Sequence, residues 1–294
     1  MKARLQRAQP WLGTLVEIAA EGNETDGLNA AIGHAFARIA AIHAAMSFHD
    51  PDSELSRVNR LAAHDWVALS GDLAQVFNAA LDFAAASDGL FDPSVAPWLV
   101  AAGHLPRHHP LPADTAPDWQ AIELDGDRVR FARPLLVDFG GIAKGYAVDA
   151  ALALLRDRDL ASARVNAGGD LARFGGSAEP VRVRHPAQPT LGLHLANLGN
   201  GAVATSAGYY QATTSPLRHP HTGSELCRTI SVSVLAPTCL AADALTKIVA
   251  ADPPRAPALL GQHGAQAILI DSSGPDIALG DAEGWRALPC EAAA

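Results

Sequence analysis

The 294-residue sequence has few of the residues that mark several large protein classes. Its three cysteines, Cys227, Cys239 and Cys290, are too sparse and odd in number for a disulfide framework, so free thiols are expected. Lysine and arginine form no cluster and the formal net charge is -9, which argues against nucleic acid as a partner. No run of about 18 apolar residues occurs, so no transmembrane segment is expected.

Targeting signals are also missing from the sequence as it stands. Residues 1–10 are basic, but they contain neither the apolar stretch of a signal peptide nor a cysteine for lipid attachment. This pattern predicts a cytoplasmic protein. Hydrophobic residues make up 49% of the chain, which is enough for a large core without disulfides or structural metals.

The apolar periodicity predicts a mixture of helices and strands. Helices are predicted over residues 23–46, 71–86, 143–157, 239–250 and 256–263. Strands are predicted over 12–20, 121–124, 128–131, 135–138, 163–166, 171–174, 181–184, 192–195, 202–205, 228–236, 267–271 and 276–279. No repeat or flexible linker interrupts the chain, so we expect one domain over residues 1–294 with two packed, interleaved lobes, of the mixed α/β or α+β class.

A proline- and histidine-rich stretch, residues 103–119, lacks periodicity and is predicted to be a surface loop. His104, His108 and His109 in this loop admit two interpretations, a metal site or a solvated loop. No carboxylate or cysteine stands at ligand spacing, which favours the solvated loop.

The segment 137–149 carries the strongest chemical signal. An apolar run ends at Asp138, Gly140 and Gly141 follow, and Lys144 opens a predicted helix. A carboxylate, bare backbone and a lysine at a helix start are suited to holding a phosphate and a cation together. The pattern is neither a Walker A loop nor a GxGxxG fingerprint. On these residues alone, a diphosphate site and a plain strand–turn–helix both remain open.

Seven segments in order resemble the FAD:protein FMN transferases, also called the ApbE-type or thiamine biosynthesis lipoprotein family. They cover most of the chain, and together they are far more specific than any one alone. The segments are 12–14 (LGT), 46–56 (MSFHDPDSELS), 88–95 (DGLFDPSV), 138–146 (DFGGIAKGY), 166–170 (NAGGD), 202–206 (AVATS) and 242–245 (ADAL).

The resemblance implies both a fold and a reaction. The fold would be α+β, with a T-fold-like core of mixed sheet and helices and an interleaved second lobe. The enzyme would bind FAD with Mg²⁺, cleave the pyrophosphate and pass FMN to a Thr or Ser hydroxyl of a target protein, releasing AMP. Members of the family are frequently exported, which stands against the cytoplasmic prediction.

The resemblance also implies site residues. The metal would be held by Asp243 and by the backbone carbonyl of Gly141. Lys144 would meet phosphate oxygens, and His49 stands where a tyrosine is usual. The positions implied to contact FAD are Leu12, His49, Asp92, Pro93, Ser94, Asp138 and Lys144. For each of these there is a plainer interpretation: a surface lysine, a turn histidine, or a turn-shaping Asp-Pro pair.

The first departure from the family pattern concerns a histidine thought to assist proton transfer from the acceptor. Here the corresponding segment, 215–223, reads SPLRHPHTG, with Pro216 in place of the histidine. His219 or His221 is predicted to supply the base from a shifted position. A structural or solvated role for both histidines is the alternative. In a further small change, Ala207 directly follows Ser206 where the family commonly has glycine, and the glycine comes one residue later, at Gly208.

The second departure lies beside the predicted metal ligand. The family often has a threonine four residues after the aspartate, but this chain has Lys247 there and Thr246 one residue earlier. Positions i+3 and i+4 both neighbour Asp243 on a helix. Thr246 is therefore predicted to replace the ligand, while the alternative is that the Lys247 ammonium pairs with Asp243 and occupies the metal's place.

The leading hypothesis is thus an FMN transferase with FAD as substrate, Mg²⁺ as cofactor and a protein acceptor. Two other functions stay open. An FAD pyrophosphatase would release AMP and FMN to water, and a catalytically degenerate homologue would bind flavin without cleaving it.

Overall fold

An eight-stranded antiparallel sheet forms the centre of the molecule in a computed structural model that describes residues 2–186, 188, 190–207, 215–226, 230–271, 276–280 and 288–289. Its strand order is β1-β2-β6-β7-β10-β11-β12-β13. The strands are β1 (Ala3–Trp11), β2 (Thr14–Gly22), β6 (Leu160–Ala167), β7 (Asp170–Gly175), β10 (Gly201–Ala207), β11 (Ile230–Ala236), β12 (Gln266–Asp271) and β13 (Ile277–Leu279).

Three long helices pack against this sheet. They are α1 (Thr25–Met46), α5 (Ala143–Arg156) and α6 (Cys239–Ala251). Alternate residues of β2, Val16, Ile18 and Ala20, share one buried cluster with Ile32 and Ile39 of α1. The period of two in the strand meets the period of 3.6 in the helix, so one apolar face of each is removed from water.

The second lobe is built mainly from residues 54–131. It contains α2 (Glu54–Leu61), α3 (Gly71–Ala86), α4 (Ala96–Ala101) and a small sheet of β3 (Val67–Ala68), β4 (Ile122–Asp125) and β5 (Arg128–Phe131). Its apolar side chains form one continuous core with those of α6 and of α7 (Ala256–Gln262). Because the chain leaves the central sheet after β2 and returns at α5, the lobes are interleaved.

A third sheet covers the other face of β12. It comprises β8 (Glu179–Arg184), β9 (Gly192–Leu198) and β14 (Leu288–Pro289), in the order β14-β9-β8. Ile268 and Ile270 pack against this sheet, whereas Ala267 and Leu269 face the main core. This alternation explains why β12 is apolar at nearly every position.

Most predicted elements are present, but the sequence interpretation was wrong at four places. Strand β1 precedes the predicted first strand, and helices α2 and α4 lie in segments for which no element was predicted. Residues 135–138 form no strand, because the Asn59 side chain takes the place of a neighbouring strand. Its Nδ2 donates to the Val137 carbonyl at 2.9 Å, and its Oδ1 accepts from the Val137 amide at 2.8 Å.

The histidine-rich loop also differs from a solvated loop. His109 is 5% exposed. Its ring packs against the Phe48 ring in an edge-to-face arrangement, and its Nε2 lies 3.3 Å from the Ser56 hydroxyl oxygen. Cys239 is a buried free thiol. Cys227, Cys290 and Gly208 lie outside the described residues, as does Arg228 at the start of one predicted strand. Among the described helices, none is long and apolar enough to cross a membrane. The cytoplasmic location stays a prediction.

Candidate active site

A cleft of about 330 Å³ opens where the central sheet, the second lobe and the segment 216–226 meet. One wall is apolar and is formed by Leu90, Phe91, Leu99 and Leu105. The lining also includes Gly140, Gly141, Lys144 and Lys247, together with the end of β10. A cleft that combines apolar side chains with cations and open backbone suits a ligand with a flat ring and a charged tail.

The glycine-containing loop is anchored at Asp138. The Asp138 amide donates to the carbonyl of Pro93 at 2.9 Å, and the Asp138 carboxylate accepts from the Gly140 amide at 3.0 Å. Burial raises the pKa of Asp138, although this hydrogen bond and His49 oppose the rise. A Cβ on Gly141 would come 3.2 Å from the Phe91 ring, so the bare backbone of this loop packs close to the apolar wall.

Helices α5 and α6 cross in contact at Gly145. A Cβ there would clash with the carbonyl oxygen of Cys239 and would lie 2.8 Å from the Leu240 Cα. Asp149 of α5 accepts from the amides of Cys239 and Leu240, at 2.9 and 2.8 Å, and so caps the start of α6. These contacts fix the second turn of α6, which carries Asp243, beside the first turn of α5.

Four charged side chains meet between these helices and the sheet. Lys144 forms an ion pair with Asp170 at the start of β7 and lies 3.5 Å from the Asp243 carboxylate. Lys247 forms an ion pair with the other oxygen of Asp243. Asp243 is fully buried and also accepts from the Gly145 amide at 3.1 Å. The cluster therefore holds two cations and two carboxylates.

The electrostatics keep Asp243 ionised. Its burial works to raise its pKa, but the ammonium groups of Lys144 and Lys247 outweigh burial and hold the pKa below the ordinary value. Burial likewise works to lower the pKa of Lys144, and the carboxylates of Asp170 and Asp243 raise it instead. Both lysines also line the cleft, so their charge is available to an anionic ligand.

Thr246 is engaged elsewhere. Its hydroxyl donates to the carbonyl of Asp243 at 2.7 Å, a helical back-bond, and lies 2.7 Å from the hydroxyl of Ser206. Because the Thr246 hydroxyl donates its proton to the Asp243 carbonyl, the Ser206 hydroxyl is the donor in the hydrogen bond between Ser206 and Thr246. The Ser206 oxygen, which lines the cleft, keeps its lone pairs for a ligand.

Asp92, Pro93 and Ser94 also line or support the cleft. Asp92 caps a short 3₁₀-helix, Pro93–Val95, by accepting from the Ser94 amide at 2.7 Å and the Ser94 hydroxyl at 2.6 Å. Burial raises the pKa of Asp92 despite these bonds. Asp92 and Pro93 reach the cleft, while Ser94 is buried behind them and accepts from the Asp118 amide at 2.7 Å.

Leu12 and His49 lie apart from the residues that line the cleft. Leu12 occupies the β1–β2 turn with a φ of 55°, in the left-handed region. His49 is an exposed residue of the turn before α2 and lies near enough to Asp138 to oppose the rise in the pKa of that carboxyl.

The two predicted catalytic histidines are not brought to the cleft. From their segment, Pro216, Leu217, Arg218 and Pro220 line it instead. His221 Nε2 lies 2.9 Å from the Asp88 carbonyl, and His221 borders a neighbouring hollow with Trp98 and Trp119. His219 is half-buried and accepts from the His221 amide at 3.2 Å.

Two residues of the site were not assigned by the sequence interpretation. Asp170 was part of a recognised motif but received no role, although a carboxylate at the first position of an apolar strand is a signal of buried pairing. His104 lines the cleft, and its buried Nε2 has no partner among the described residues. A histidine within an aperiodic loop gives no signal of such a position.

The known proteins that this chain resembles belong to one family. A family model described as the ApbE family matches residues 12–270. A relative from Haemophilus influenzae named FAD:protein FMN transferase is 26% identical over 233 residues, which cover 70% of this chain and 67% of the relative. A relative of the same name from Chlamydia trachomatis is 31% identical over 222 residues, 67% of each protein.

The matched regions cover between 53% and 73% of the length of each curated relative. For most of these relatives the covered share is about two thirds. The solved structure of the flavin transferase ApbE from Vibrio cholerae superposes with a TM-score of 0.84, at 22% identity, over 97% of this chain and 100% of that chain. This likeness confirms the predicted α+β fold. With the family model matched over most of its length, the chain belongs to the ApbE family.

Proposed function

We propose that this protein transfers FMN from FAD to a Thr or Ser hydroxyl of a target protein and releases AMP. The observation that carries the proposal is the pair of ammonium groups, Lys144 and Lys247, beside the Gly140–Gly141 backbone in a cleft that is also lined by apolar side chains. The names of the relatives support the same reaction.

Each wall has a part in binding FAD. The apolar wall, with Leu90, Phe91 and Leu105, suits the flat isoalloxazine ring, which buries well against such side chains. The diphosphate would then meet the lysines and the glycine-rich backbone. The buried, unpartnered Nε2 of His104 gives the apolar wall one polar group with which to fix the ligand's orientation.

The transfer moves one phosphorus from oxygen to oxygen. The acceptor hydroxyl oxygen attacks the FMN-side phosphorus, the bond from that phosphorus to the bridging oxygen breaks, and AMP leaves with the bridging oxygen while the hydroxyl proton is released. Negative charge grows on the phosphoryl oxygens and on the bridging oxygen. Fixed cations next to these atoms lower the barrier because they are already oriented.

The expected Mg²⁺ stays a prediction, and the described residues fit it poorly. Of the predicted ligands, Asp243 already has Lys247 on one oxygen, and Gly145 and Lys144 on the other. Thr246 donates its proton to the helix backbone and accepts from Ser206. We therefore derive no step through Mg²⁺.

The experiment is to incubate the purified protein with FAD and a threonine-containing acceptor domain and to measure AMP, FMN and acceptor mass. AMP release with a gain of one FMN per acceptor supports the transferase. An acceptor whose threonine is replaced by alanine is the control and should gain no mass. AMP with free FMN and an unmodified acceptor would instead identify a pyrophosphatase, and bound, intact FAD would identify a flavin-binding homologue.

A further inference from the structure

Lysine is rare in this chain, and its placement is selective. Of the 22 lysines and arginines, only three are lysines: Lys2, Lys144 and Lys247. Two of these three meet at Asp243, while arginine supplies nearly all other positive charge. A compact ammonium forms a point charge on a flexible stem, whereas a guanidinium is a planar fork. The site therefore takes the cation that most closely resembles a small ion.

The Lys247 side chain fills the space between Asp243 and the glycine loop. Its Cε and Cγ would lie 3.6 and 3.7 Å from a Cβ on Gly141, so the stem runs along the backbone of that loop. Its ammonium contacts Asp243 from one turn further along α6, the i to i+4 spacing that aligns side chains on a helix. The side chain is only 17% exposed, and the exposed part lines the cleft.

Each carboxylate of this cluster already has an ammonium partner. Asp243 has Lys247 on one oxygen, with the Gly145 amide and Lys144 on the other, and Asp170 is paired with Lys144. A divalent cation at Asp243 would have to displace an ammonium from a fully buried carboxylate and would remain beside it. Mg²⁺ also needs an octahedron of oxygens, whereas Lys247 offers only donors.

We propose that the Lys247 ammonium is the built-in cation of the phosphate site and stands where a divalent cation would otherwise bind to Asp243. This inference rests on the proposed function. In the transfer, Lys247 and Lys144 balance the charge that grows as the acceptor oxygen bonds to the FMN-side phosphorus and AMP departs with the bridging oxygen. The reaction then requires no divalent cation.

Metal binding tests this directly, without any substrate. Mn²⁺ alone is titrated into the wild-type protein, Lys247→Thr and Lys247→Arg, and free Mn²⁺ is followed by electron paramagnetic resonance. The wild type and Lys247→Arg keep a cation on Asp243. Neither protein should bind Mn²⁺ stoichiometrically at an Mn²⁺ concentration of about 100 µM. Lys247→Thr frees Asp243 and adds a hydroxyl, and it should bind one Mn²⁺ at least tenfold more tightly than the wild type.

Stoichiometric Mn²⁺ binding by the wild type would overturn the proposal whether or not any variant folds. So would equal, weak binding by a Lys247→Thr protein whose circular dichroism matches the wild type. In a second measurement, AMP release from FAD by the wild type in the presence of the acceptor domain should change less than twofold when EDTA replaces Mg²⁺, and loss of AMP release would contradict the proposal. If no protein releases AMP under any condition, the proposed function fails, while the Mn²⁺ result still decides the role of Lys247.

Discussion

The two sides of the cleft are held in different ways. The side proposed to bind the diphosphate, here called the phosphate side, contains Asp243, Lys144 and Lys247. Asp243 is fully buried, and it is fixed by the two lysines and by the Gly145 amide. The side predicted to meet the acceptor, here called the acceptor side, is the turn around His219. Backbone hydrogen bonds hold this turn, from the His219 amide to the Ser224 carbonyl at 2.9 Å and from the Gly223 amide to the His219 carbonyl at 2.8 Å. Its side chains range from buried Pro220 and half-buried His219 to exposed His221, Thr222 and Ser224.

The difference shows where sequence dictates chemistry most strongly. A buried charge must be paired, so the residues of the phosphate side constrain one another and tolerate little change. A surface turn needs only suitable backbone geometry, so its side chains are free to change. We therefore expect substitutions on the phosphate side to have large effects on activity and stability, and substitutions on the acceptor side to have small ones.

The largest effect is expected for Asp243→Asn. Asparagine keeps an acceptor for the Gly145 amide but removes the charge between Lys144 and Lys247. Breaking a buried ion pair costs about 3 kcal/mol of unfolding free energy, and AMP release should fall at least about 100-fold as the lysines lose their position. Urea denaturation and an AMP assay measure both. Exposed Asp82→Asn is the control, and parity between the two variants would refute the role of the buried pair.

Next in size is Gly145→Ala, which tests the helix contact behind the charges. The new methyl group would clash with the Cys239 carbonyl oxygen, and overpacking of this kind costs about 2 kcal/mol. Gly33→Ala in α1 meets only one atom, 3.9 Å away, and should stabilise the protein by about 1 kcal/mol. Urea midpoints separate the two, and a stable Gly145→Ala protein would show that α5 and α6 do not cross so closely.

His104→Leu tests whether the histidine loop contributes to the ligand side. If FAD supplies a partner for its buried Nε2, the leucine variant should bind FAD about tenfold more weakly, the worth of one hydrogen bond. Quenching of flavin fluorescence measures the affinity. His64→Leu, at an exposed position, is the matched control. Equal affinity of His104→Leu and the wild type would remove His104 from the ligand contacts.

The smallest expected effect concerns His109, which lies behind the cleft in the same loop. Burial lowers the pKa of His109 to about 4, whereas the unfolded chain titrates near 6.5. Between these values the unfolded state binds a proton that the folded state does not, so stability falls as the pH falls from about 6.5 to about 4.

His109→Phe should remove this contribution. Between pH 7 and pH 5, the loss of unfolding free energy should be about 1 kcal/mol smaller in the variant than in the wild type. Thermal melts at the two pH values measure the difference. Identical pH dependence in the two proteins would mean that His109 is protonated freely in the folded state.

The sequence predicted the long elements because burial leaves periodic patterns, whereas the residues of the charged cluster were selected from a motif and a resemblance. The helix over 71–86 has the predicted bounds, and those of α5 and α6 differ from the predictions by one residue. Lys144, Gly141 and Asp243 were selected together and lie together. Segment 135–138 misled because an apolar run reads as a strand even when the amide of Asn59, far away in sequence, takes the partner's place.

The acceptor side gave weaker signals for the same physical reason. His219 and His221 were chosen by their residue type within a motif, but neither lines the cleft, because Pro220 between them does so. Whether Lys247 or a metal pairs with Asp243 was left open, since the i+3 and i+4 positions both face it. Only the three-dimensional arrangement shows Thr246 turned to Ser206 and Lys247 on the carboxylate.

The most direct measurement is the initial rate of FAD-dependent AMP release in the presence of acceptor, compared between Asp243→Asn and a His219→Ala/His221→Ala double variant. We predict a loss of at least about 100-fold for Asp243→Asn and a change of less than about threefold for the double variant, because only the first removes the carboxylate that positions Lys144 and Lys247. A double variant as inactive as Asp243→Asn would contradict this prediction and would place the decisive chemistry on the acceptor side.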